Sequence, residues 1–151
     1  MGVFQSIVTV MENKEFFQGA DIWFVGSCGI SGEFLKPEVF EISKVSWLPL
    51  GERKKISHRI GDLDPPVTID HQNRFPLKNV ICSSNLSLSN EGMAENDVEN
   101  VEAYGVVHAL QKNYKSFSMF LVSTNQVGAM GHEQWISHHK HAAQTIAEAL
   151  T

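Results

Sequence analysis

The order of apolar segments along the chain constrains its fold more than any other feature. Four short segments have the composition of β-strands, at residues 21–27, 39–48, 79–89 and 117–125. Three longer segments repeat apolar residues every three or four positions and are predicted helices, at residues 3–17, 97–112 and 135–150. Strands separated by helices predict an α/β fold, a three-layer α/β/α sandwich with a mixed, mainly parallel sheet.

Two of the predicted strands differ in pattern. Residues 21–27 form a continuous apolar run, which is typical of a strand buried on both faces, whereas residues 39–48 alternate. Residues 49–76 carry four of the five prolines and little periodicity. We expect a long excursion there, with one short strand at 67–69.

Length and charge exclude several classes of protein. With 151 residues and 42% hydrophobic residues, the chain is predicted to form one domain over residues 1–151. A net charge of −5 argues against a nucleic-acid surface. No apolar run approaches the roughly 18 residues of a membrane span, and the N-terminus lacks a signal-peptide pattern, so we expect a cytoplasmic protein without membrane contact. Cys28 and Cys82 form no CxxC pair and are predicted to be reduced, buried thiols.

The stretch WFVGSCGISGEFL places three glycines within seven residues, directly after a predicted strand. This pattern predicts a glycine-rich turn at the strand exit. Small polar residues also follow two other strands, so the candidate exits are residues 26–32, 83–90 and 123–128. Because ligands of open α/β sheets bind at the carboxyl ends of the strands, these three exits are the candidate site.

Four motifs in the same order resemble the nucleoside phosphorylase and nucleosidase superfamily, which includes purine nucleoside phosphorylases, methylthioadenosine/S-adenosylhomocysteine nucleosidases and futalosine hydrolases. They are GADIWFVGSCGISGEFLKPEVFEIS, VICSSNLSL, ENVEAYGVVHAL and FLVSTNQVG. The resemblance implies cleavage of a purine nucleoside at its N-glycosidic bond, by phosphorolysis or hydrolysis. It implies no cofactor beyond phosphate as a possible co-substrate. The alternative is a non-catalytic nucleoside-binding, nucleobase-binding or structural protein derived from the family.

The resemblance also assigns binding roles to individual residues. The backbone of the first motif would approach the ribose, the base or an anion, and the second motif would stack on the base. The helix motif would hold the ribose, and the last motif would handle the base. The substrate-binding residues are then Gly26, Ser27, Cys28, Gly29, Asn85, Leu86, Val101, Glu102 and Thr124.

Glu102 and Asn125 carry the most specific expectations. The resemblance implies that the Glu102 carboxylate accepts hydrogen bonds from ribose hydroxyls, while the alternative is an exposed helix acid. Asn125 stands where adenine-acting members carry an aspartate general acid, and the resemblance makes it the candidate catalytic residue. An amide cannot protonate N7 of a base, so Asn125 favours hypoxanthine- or guanine-like bases or weak chemistry. The alternative is a turn asparagine that caps the following segment.

The remaining reactive side chains have simpler interpretations. His132, His138, His139 and His141 lack a ligand spacing such as HExxH, so we expect surface histidines and no metal site. His108 lies on the apolar stripe of the predicted helix 97–112 and is interpreted as a core histidine. The sequence indicates no base beside Cys28 that would make its thiol a nucleophile.

Compared with the family, the chain resembles a shortened member that lacks the N-terminal strands. The acid that nucleosidases use to activate water and the Arg or His that phosphorylases use to hold phosphate lie in that portion. The missing strands would leave sheet edge and apolar surface uncovered. We therefore expect a homodimer or larger assembly, with contacts at residues 3–17 and around Trp135.

Overall fold

A computed structural model describes residues 3–47, 67–69, 75–84, 87, 89–91, 93, 97–110 and 114–151. The helices are α1 (Val3–Glu12), α2 (Lys14–Phe17), α3 (Ala103–Leu110) and α4 (Gly131–Ala149). The strands are β1 (Asp21–Ile30), β2 (Val39–Ser46), β3 (Val67–Thr68), β4 (Lys78–Ser83), β5 (Val98–Glu99) and β6 (Ser116–Gln126). None of the helices in these ranges has the length and hydrophobicity to cross a membrane.

The strands form one mixed sheet in the order β3-β2-β4-β5-β1-β6. Strand β6 also pairs with β2, so β2, β4, β5, β1 and β6 close into a five-stranded barrel. The pairs β1–β6, β2–β4 and β4–β5 are parallel, and the pairs β1–β5, β2–β3 and β2–β6 are antiparallel. The predicted α/β fold with a mixed sheet is confirmed, and the four predicted strands share that sheet. The sequence pattern did not predict its closure.

Helices cover the sheet from two sides. Along β6, Met119 and Leu121 belong to the core that α1 and α3 share with the sheet, whereas Phe120 and Val122 pack with Ile146 of α4. Successive side chains of a strand point to opposite faces, so β6 must be apolar at both alternating sets of positions. The uninterrupted apolar run of β6 follows from this double burial.

Strand β1 departs from its prediction in two ways. It continues through Gly26 and Gly29 to Ile30, because β6 pairs with it along its whole length, so the predicted glycine-rich turn is wrong. It is also not buried on both faces, since Trp23 is 41% exposed and Val25 is 48% exposed. The described residues cover only one face of its first half.

The segment at 97–112 is not one helix. Residues Val98 and Glu99 form β5, which pairs with both β1 and β4, and α3 begins only at Ala103. Pairing on both sides satisfies the backbone of these two residues as a strand, and this overrides the helical spacing of their side chains. The interpretation of His108 as a core histidine is also wrong. His108 is exposed, and its ring stacks on the Tyr104 ring with the centroids 5.7 Å apart.

The other two predicted helices are confirmed with changed bounds. Residues 3–17 form α1 and α2, which are separated at Asn13. Helix α4 starts at Gly131 rather than at Trp135. Ala142 and Ile146 of its predicted apolar face are buried, but Trp135 and Ile136 are 39% and 53% exposed, so the predicted face is wrong at that end.

Several exposed apolar side chains lie where contacts between copies of the chain were expected. On α1 and α2, Met11 and Phe16 are 57% and 72% exposed. Trp135 is partly exposed on α4. Self-association through these surfaces stays a prediction, which light scattering in solution would measure.

Glu41 is the one charged side chain on β2 that is completely buried. Within the described ranges, neither of its carboxylate oxygens has a hydrogen-bond partner. Burial of a polar group without a partner costs free energy, and the described residues provide no compensation for Glu41.

Asn100 joins β1 and the ends of β4 and β5 to the start of α3. Its side-chain Oδ1 accepts hydrogen bonds from the backbone N–H groups of Glu102 (3.0 Å) and Ala103 (2.7 Å), which caps the helix. Its Nδ2 donates to the carbonyl of Ser27 on β1 at 2.9 Å. Its backbone N–H donates to the Ser83 carbonyl at the end of β4, at 3.1 Å.

Ser84 closes the same network from the other side. Its hydroxyl donates to the Asn100 carbonyl at 2.9 Å and accepts from the Tyr104 backbone N–H at 2.6 Å. Asn100 and Ser84 are both buried, so these bonds are made away from water. The network holds β1 and the ends of β4 and β5 against the start of α3.

Replacement of Asn100 tests this network. Asn100→Ala would remove the helix cap and the bond to Ser27, and we expect a loss of about 2–4 kcal/mol in the free energy of unfolding, measured in urea. Asn90→Ala is the matched control, because the exposed Asn90 amide donates once, to the Ser31 carbonyl at 2.8 Å. A loss for Asn100→Ala no larger than that of the control would contradict the assigned role.

The two cysteines are free and buried, as predicted. Cys28 is 3% exposed and Cys82 is fully buried. Burial raises the pKa of both thiols well above its ordinary value, because the charged thiolate is poorly solvated there. Cys28 is therefore a poor nucleophile in the folded protein.

These raised pKa values predict a loss of stability at alkaline pH. The thiols keep their protons in the folded state but ionise at their ordinary pKa in the unfolded chain. Their contribution is therefore intact below that ordinary pKa and declines as the pH rises above it, by up to about 1.4 kcal/mol per pH unit for each thiol. Urea titrations between pH 8 and 10 would measure this slope, and a Cys28→Ala/Cys82→Ala variant with the same slope would disprove the attribution.

Candidate functional site

A cleft of about 530 Å³ opens near the carboxyl ends of β1 and β6. Its walls come from the end of β1, the junction between β5 and α3, the end of β6 and the start of α4. Seven of the predicted site residues line it: Ser27, Cys28, Gly29, Val101, Glu102, Thr124 and Asn125. Gly26 is not among the lining residues, and Asn85 and Leu86 lie outside the described residues.

The end of β6 is irregular where it forms the cleft. Cys28 pairs with Ser123, but Gly29 pairs with Asn125, so Thr124 is an extra residue on β6. Such an irregularity changes the direction of the side chains that follow it. The Thr124 hydroxyl donates to Asn125 Oδ1 at 2.8 Å, which holds the amide in the cleft.

Asn125 is packed between two glycines. A Cβ atom on Gly29 would lie 2.8 Å from Asn125 Nδ2, and a Cβ atom on Gly131 would lie 3.0 Å from the same nitrogen. The Asn125 Nδ2 also donates to the Gln126 carbonyl at 3.0 Å. Gly29 is therefore required by the close approach of the Asn125 side chain rather than by a turn.

Glu99 is a cleft residue that the sequence analysis missed. Gly29 pairs with Glu99 on β5 and with Asn125 on β6, so these three residues form one row across adjacent strands. The Glu99 carboxylate is held by Ser87, whose N–H donates to Oε2 at 2.9 Å and whose hydroxyl donates to Oε1 at 2.7 Å. No sequence signal marked Glu99, because its strand is two residues long and was predicted as helix.

Glu102 and Val101 line the cleft between Asn100 and the first turn of α3. Glu102 is half-buried, so it is not the fully exposed helix acid of the alternative interpretation. Because its N–H is bound to Asn100 Oδ1, the backbone from which its carboxylate projects is fixed. What the carboxylate binds stays a prediction.

Trp135 is a second residue that the sequence analysis did not place in the site. It lines the cleft, and its Nε1 donates to the Ser27 hydroxyl at 3.4 Å. Its ring stacks between His132 and His139, with ring centroids 6.1 and 5.0 Å away. Within the described ranges, no three His, Cys, Asp or Glu side chains are grouped as a metal ion would require.

The charged residues that line the cleft are acidic. Glu99 and Glu102 contribute carboxylates, and the lining residues that the structure describes include no Lys or Arg. His132 is the one lining residue with a titratable basic ring. The charged groups of the described lining are therefore two acidic side chains and one histidine.

Comparisons with known proteins identify the fold. No protein-family model and no curated protein matches the sequence. Among solved structures, an asparagine-for-aspartate variant of the Helicobacter pylori methylthioadenosine nucleosidase, with 5′-methylthioadenosine in its active site, superposes with a TM-score of 0.74 at 14% identity. The match covers 99% of this chain and 74% of that one.

Two further structures are similar. Futalosine hydrolase of Helicobacter pylori gives a TM-score of 0.74 at 15% identity, over 99% of this chain and 74% of that one. A Chlamydia trachomatis methylthioadenosine nucleosidase variant, again with asparagine for aspartate and with methylthioadenosine bound, gives 0.66 at 17% identity, over 88% and 64%. The chain therefore has the fold of the nucleoside phosphorylase and nucleosidase superfamily, as the order of its motifs predicted.

Proposed function

We propose that the cleft binds a purine nucleoside and hydrolyses its N-glycosidic bond. The observation that carries the proposal is that Glu102 and Asn125 line the same cleft. Glu102 lies directly before α3, and Asn125 lies near the end of β6. A volume of about 530 Å³ lies within the range of small-molecule sites. The ribose would lie at Glu102 and the base at Asn125.

The chemistry of the lining supports this orientation. A carboxylate can accept hydrogen bonds from the two hydroxyls of a ribose, and Glu102, which lines the cleft directly before α3, would take this role. Asn125 presents an amide held by Thr124, and an ordered amide can bind the edge of a base without moving. Val101 and Trp135 add apolar surface for the sugar and the base.

Hydrolysis fits the charges better than phosphorolysis does. The carboxylates of Glu99 and Glu102 line the cleft, and their negative charges would oppose the approach of a phosphate dianion. The same carboxylates would stabilise the positive charge that the sugar develops as the bond breaks. The similar solved structures are nucleosidases and a hydrolase.

One observation favours a second function, which is nucleoside binding without rapid cleavage. Asn125 stands at the position that the motif resemblance assigns to an aspartate, and an amide cannot donate the proton that an acid donates to a leaving base. Two of the similar nucleosidases were solved with asparagine in place of an aspartate and with methylthioadenosine bound. We therefore expect slow turnover in this protein.

Base release measures the proposed reaction directly. Inosine, guanosine and adenosine would each be incubated with the protein, and free base would be measured by chromatography with and without phosphate. We expect slow release at the same rate under both conditions, because water is the acceptor. Release that requires phosphate would disprove hydrolysis, and binding without any release would favour the second function.

Replacement of Glu102 tests the ribose role. Glu102→Ala would remove acceptors for the diol, so we expect nucleosides to bind at least about tenfold more weakly while free bases bind unchanged, by calorimetry. Glu148→Ala is the matched control, because Glu148 is an exposed acid at the far end of α4. Equal weakening of nucleosides and free bases would show that Glu102 supports the fold and not the sugar.

A further inference from the structure

We propose that Gln134 of α4 is a positioning residue, which holds the candidate catalytic amide of Asn125 through the backbone of Gln126. Gln134 is not among the described residues that line the cleft, so it would act without touching a ligand. The inference rests on the proposed function for what the amide does in the cleft, whereas the placement of the amide can be measured in the ligand-free protein. It assigns a role to a side chain that none of the sequence motifs includes.

Strand β6 loses one of its two strand neighbours before it reaches the cleft. Its pairing with β2 extends to Val122, and the Ser123 N–H then donates to the Glu38 carbonyl at 2.9 Å. Beyond that point, among the described residues, β6 pairs with β1 alone, up to Gln126. The backbone of Asn125 and Gln126 therefore needs another partner on the side away from β1.

Helix α4 supplies that partner. The Gln126 N–H donates to Gln134 Oε1 at 2.8 Å, so this side chain takes the place of a strand neighbour. The N–H belongs to the peptide that joins Asn125 to Gln126, which means that the bond fixes the backbone carrying the Asn125 side chain. The bond also closes the base of the loop 127–133, from which five residues line the cleft: Val127, Gly128, Ala129, Gly131 and His132.

The next peptide along the chain sets the orientation of the amide. The Val127 N–H donates to the Ile30 carbonyl at 2.8 Å, which fixes the peptide that contains the Gln126 carbonyl. That carbonyl accepts a hydrogen bond from Asn125 Nδ2 at 3.0 Å. A flipped amide would bring Oδ1 against the same carbonyl, and two acceptors cannot form a hydrogen bond. Asn125 Nδ2 therefore stays at this carbonyl and Oδ1 stays at the Thr124 hydroxyl while both peptides keep their positions.

The start of α4 packs against the same atoms. A Cβ atom on Gly131 would lie 3.3 Å from the Gln126 carbonyl oxygen and 3.0 Å from Asn125 Nδ2. Gln134 lies about one helical turn after Gly131, so its bond to Gln126 holds this turn of the helix against the amide. Loss of the bond would free both the peptide after Asn125 and the glycine that packs on its side chain.

A purely structural role for Gln134 makes a different prediction. If Gln134 only anchored α4 to β6, its replacement would affect ligands to the same degree whether or not residue 125 carried an amide. If Gln134 positions Asn125, its effect on ligands would require that amide. A double-mutant cycle therefore separates the two roles.

NMR of the ligand-free protein tests the placement directly. In the wild-type protein we expect cross-peaks between the Asn125 amide protons and the Hα protons of Gly29 and Gly131, because the amide nitrogen lies close to both glycines. Gln134→Met removes the acceptor but keeps a side chain of similar length and helix propensity, and it should abolish these cross-peaks. Asn125→Ala identifies the amide signals by their loss.

Gln144→Met is the matched control for this comparison. Gln144 is an exposed glutamine on the same helix, and its Nε2 donates to Glu148 at 2.9 Å. This variant should keep the cross-peaks of Asn125. Thermal unfolding would report the folding of each variant. The wild-type protein also tests the bond without any substitution, because the Gln126 N–H should exchange slowly with solvent, and rapid exchange would contradict the inference.

Calorimetry with inosine, guanosine, hypoxanthine and guanine measures the consequence for binding. Gln134→Met should weaken all four ligands by about three- to tenfold, because the amide would face each base in a less defined position. Gln134→Glu, whose carboxylate provides an acceptor at the same place, should restore most of the affinity. In an Asn125→Ala background, Gln134→Met should change the affinities by less than about twofold.

Three results would overturn the inference. They are cross-peaks of Asn125 that persist in Gln134→Met, an equal loss of affinity with and without the Asn125 amide, and a Gln134→Glu variant that binds as weakly as Gln134→Met. If the wild-type protein bound no nucleoside or base, the proposed function would be contradicted. The NMR comparison would then still support or overturn the placement of the amide by Gln134, so the two failures are distinguishable.

Discussion

The hydrogen bonds of Asn100 are the interaction on which the rest of the site depends. One buried side chain caps α3 and binds the Ser27 carbonyl on β1, while its backbone binds the end of β4. Because a helix start has unpaired N–H groups and Ser27 precedes the residues of β1 that pair with β5, a single amide can bind both. The bonds of Asn100 therefore fix the backbone of Glu102 relative to β1.

A second constraint is steric and concerns the Asn125 amide. It lies over Gly29 and against Gly131, so any side chain at either position would displace it. The extra residue Thr124 on β6 brings Asn125 opposite Gly29 and also binds its Oδ1. Close packing and hydrogen bonding thus hold the amide in one orientation, which is what recognition of a polar base edge requires.

A third feature of the cleft is its pair of acidic side chains, Glu99 and Glu102. Glu102 and Glu99 lie on either side of Asn100 in the sequence, one at the start of α3 and one at the end of β5. Both residues line the cleft, and Ser87 holds the Glu99 carboxylate. The proposed hydrolysis rests in part on these two carboxylates, which would stabilise positive charge on the sugar as the bond breaks.

By itself, the sequence determined the α/β class, the four main strands and seven of the sixteen described residues that line the cleft, including Gly29, Glu102 and Asn125. The strands and the polar residues at their exits are visible in the local order of residues, whereas Glu102 was identified through the resemblance of the helix motif to the family. Only the tertiary structure decided that β6 pairs back to β2, that Val98–Glu99 is a strand, and that Trp135 lines the cleft. These features depend on segments that are distant in the chain. The apolar spacing around Val98–Glu99 is that of a helix, but pairing with β1 and β4 makes these two residues a strand. The row of Glu99, Gly29 and Asn125 exists only through strand register, a relation between segments that no single segment encodes.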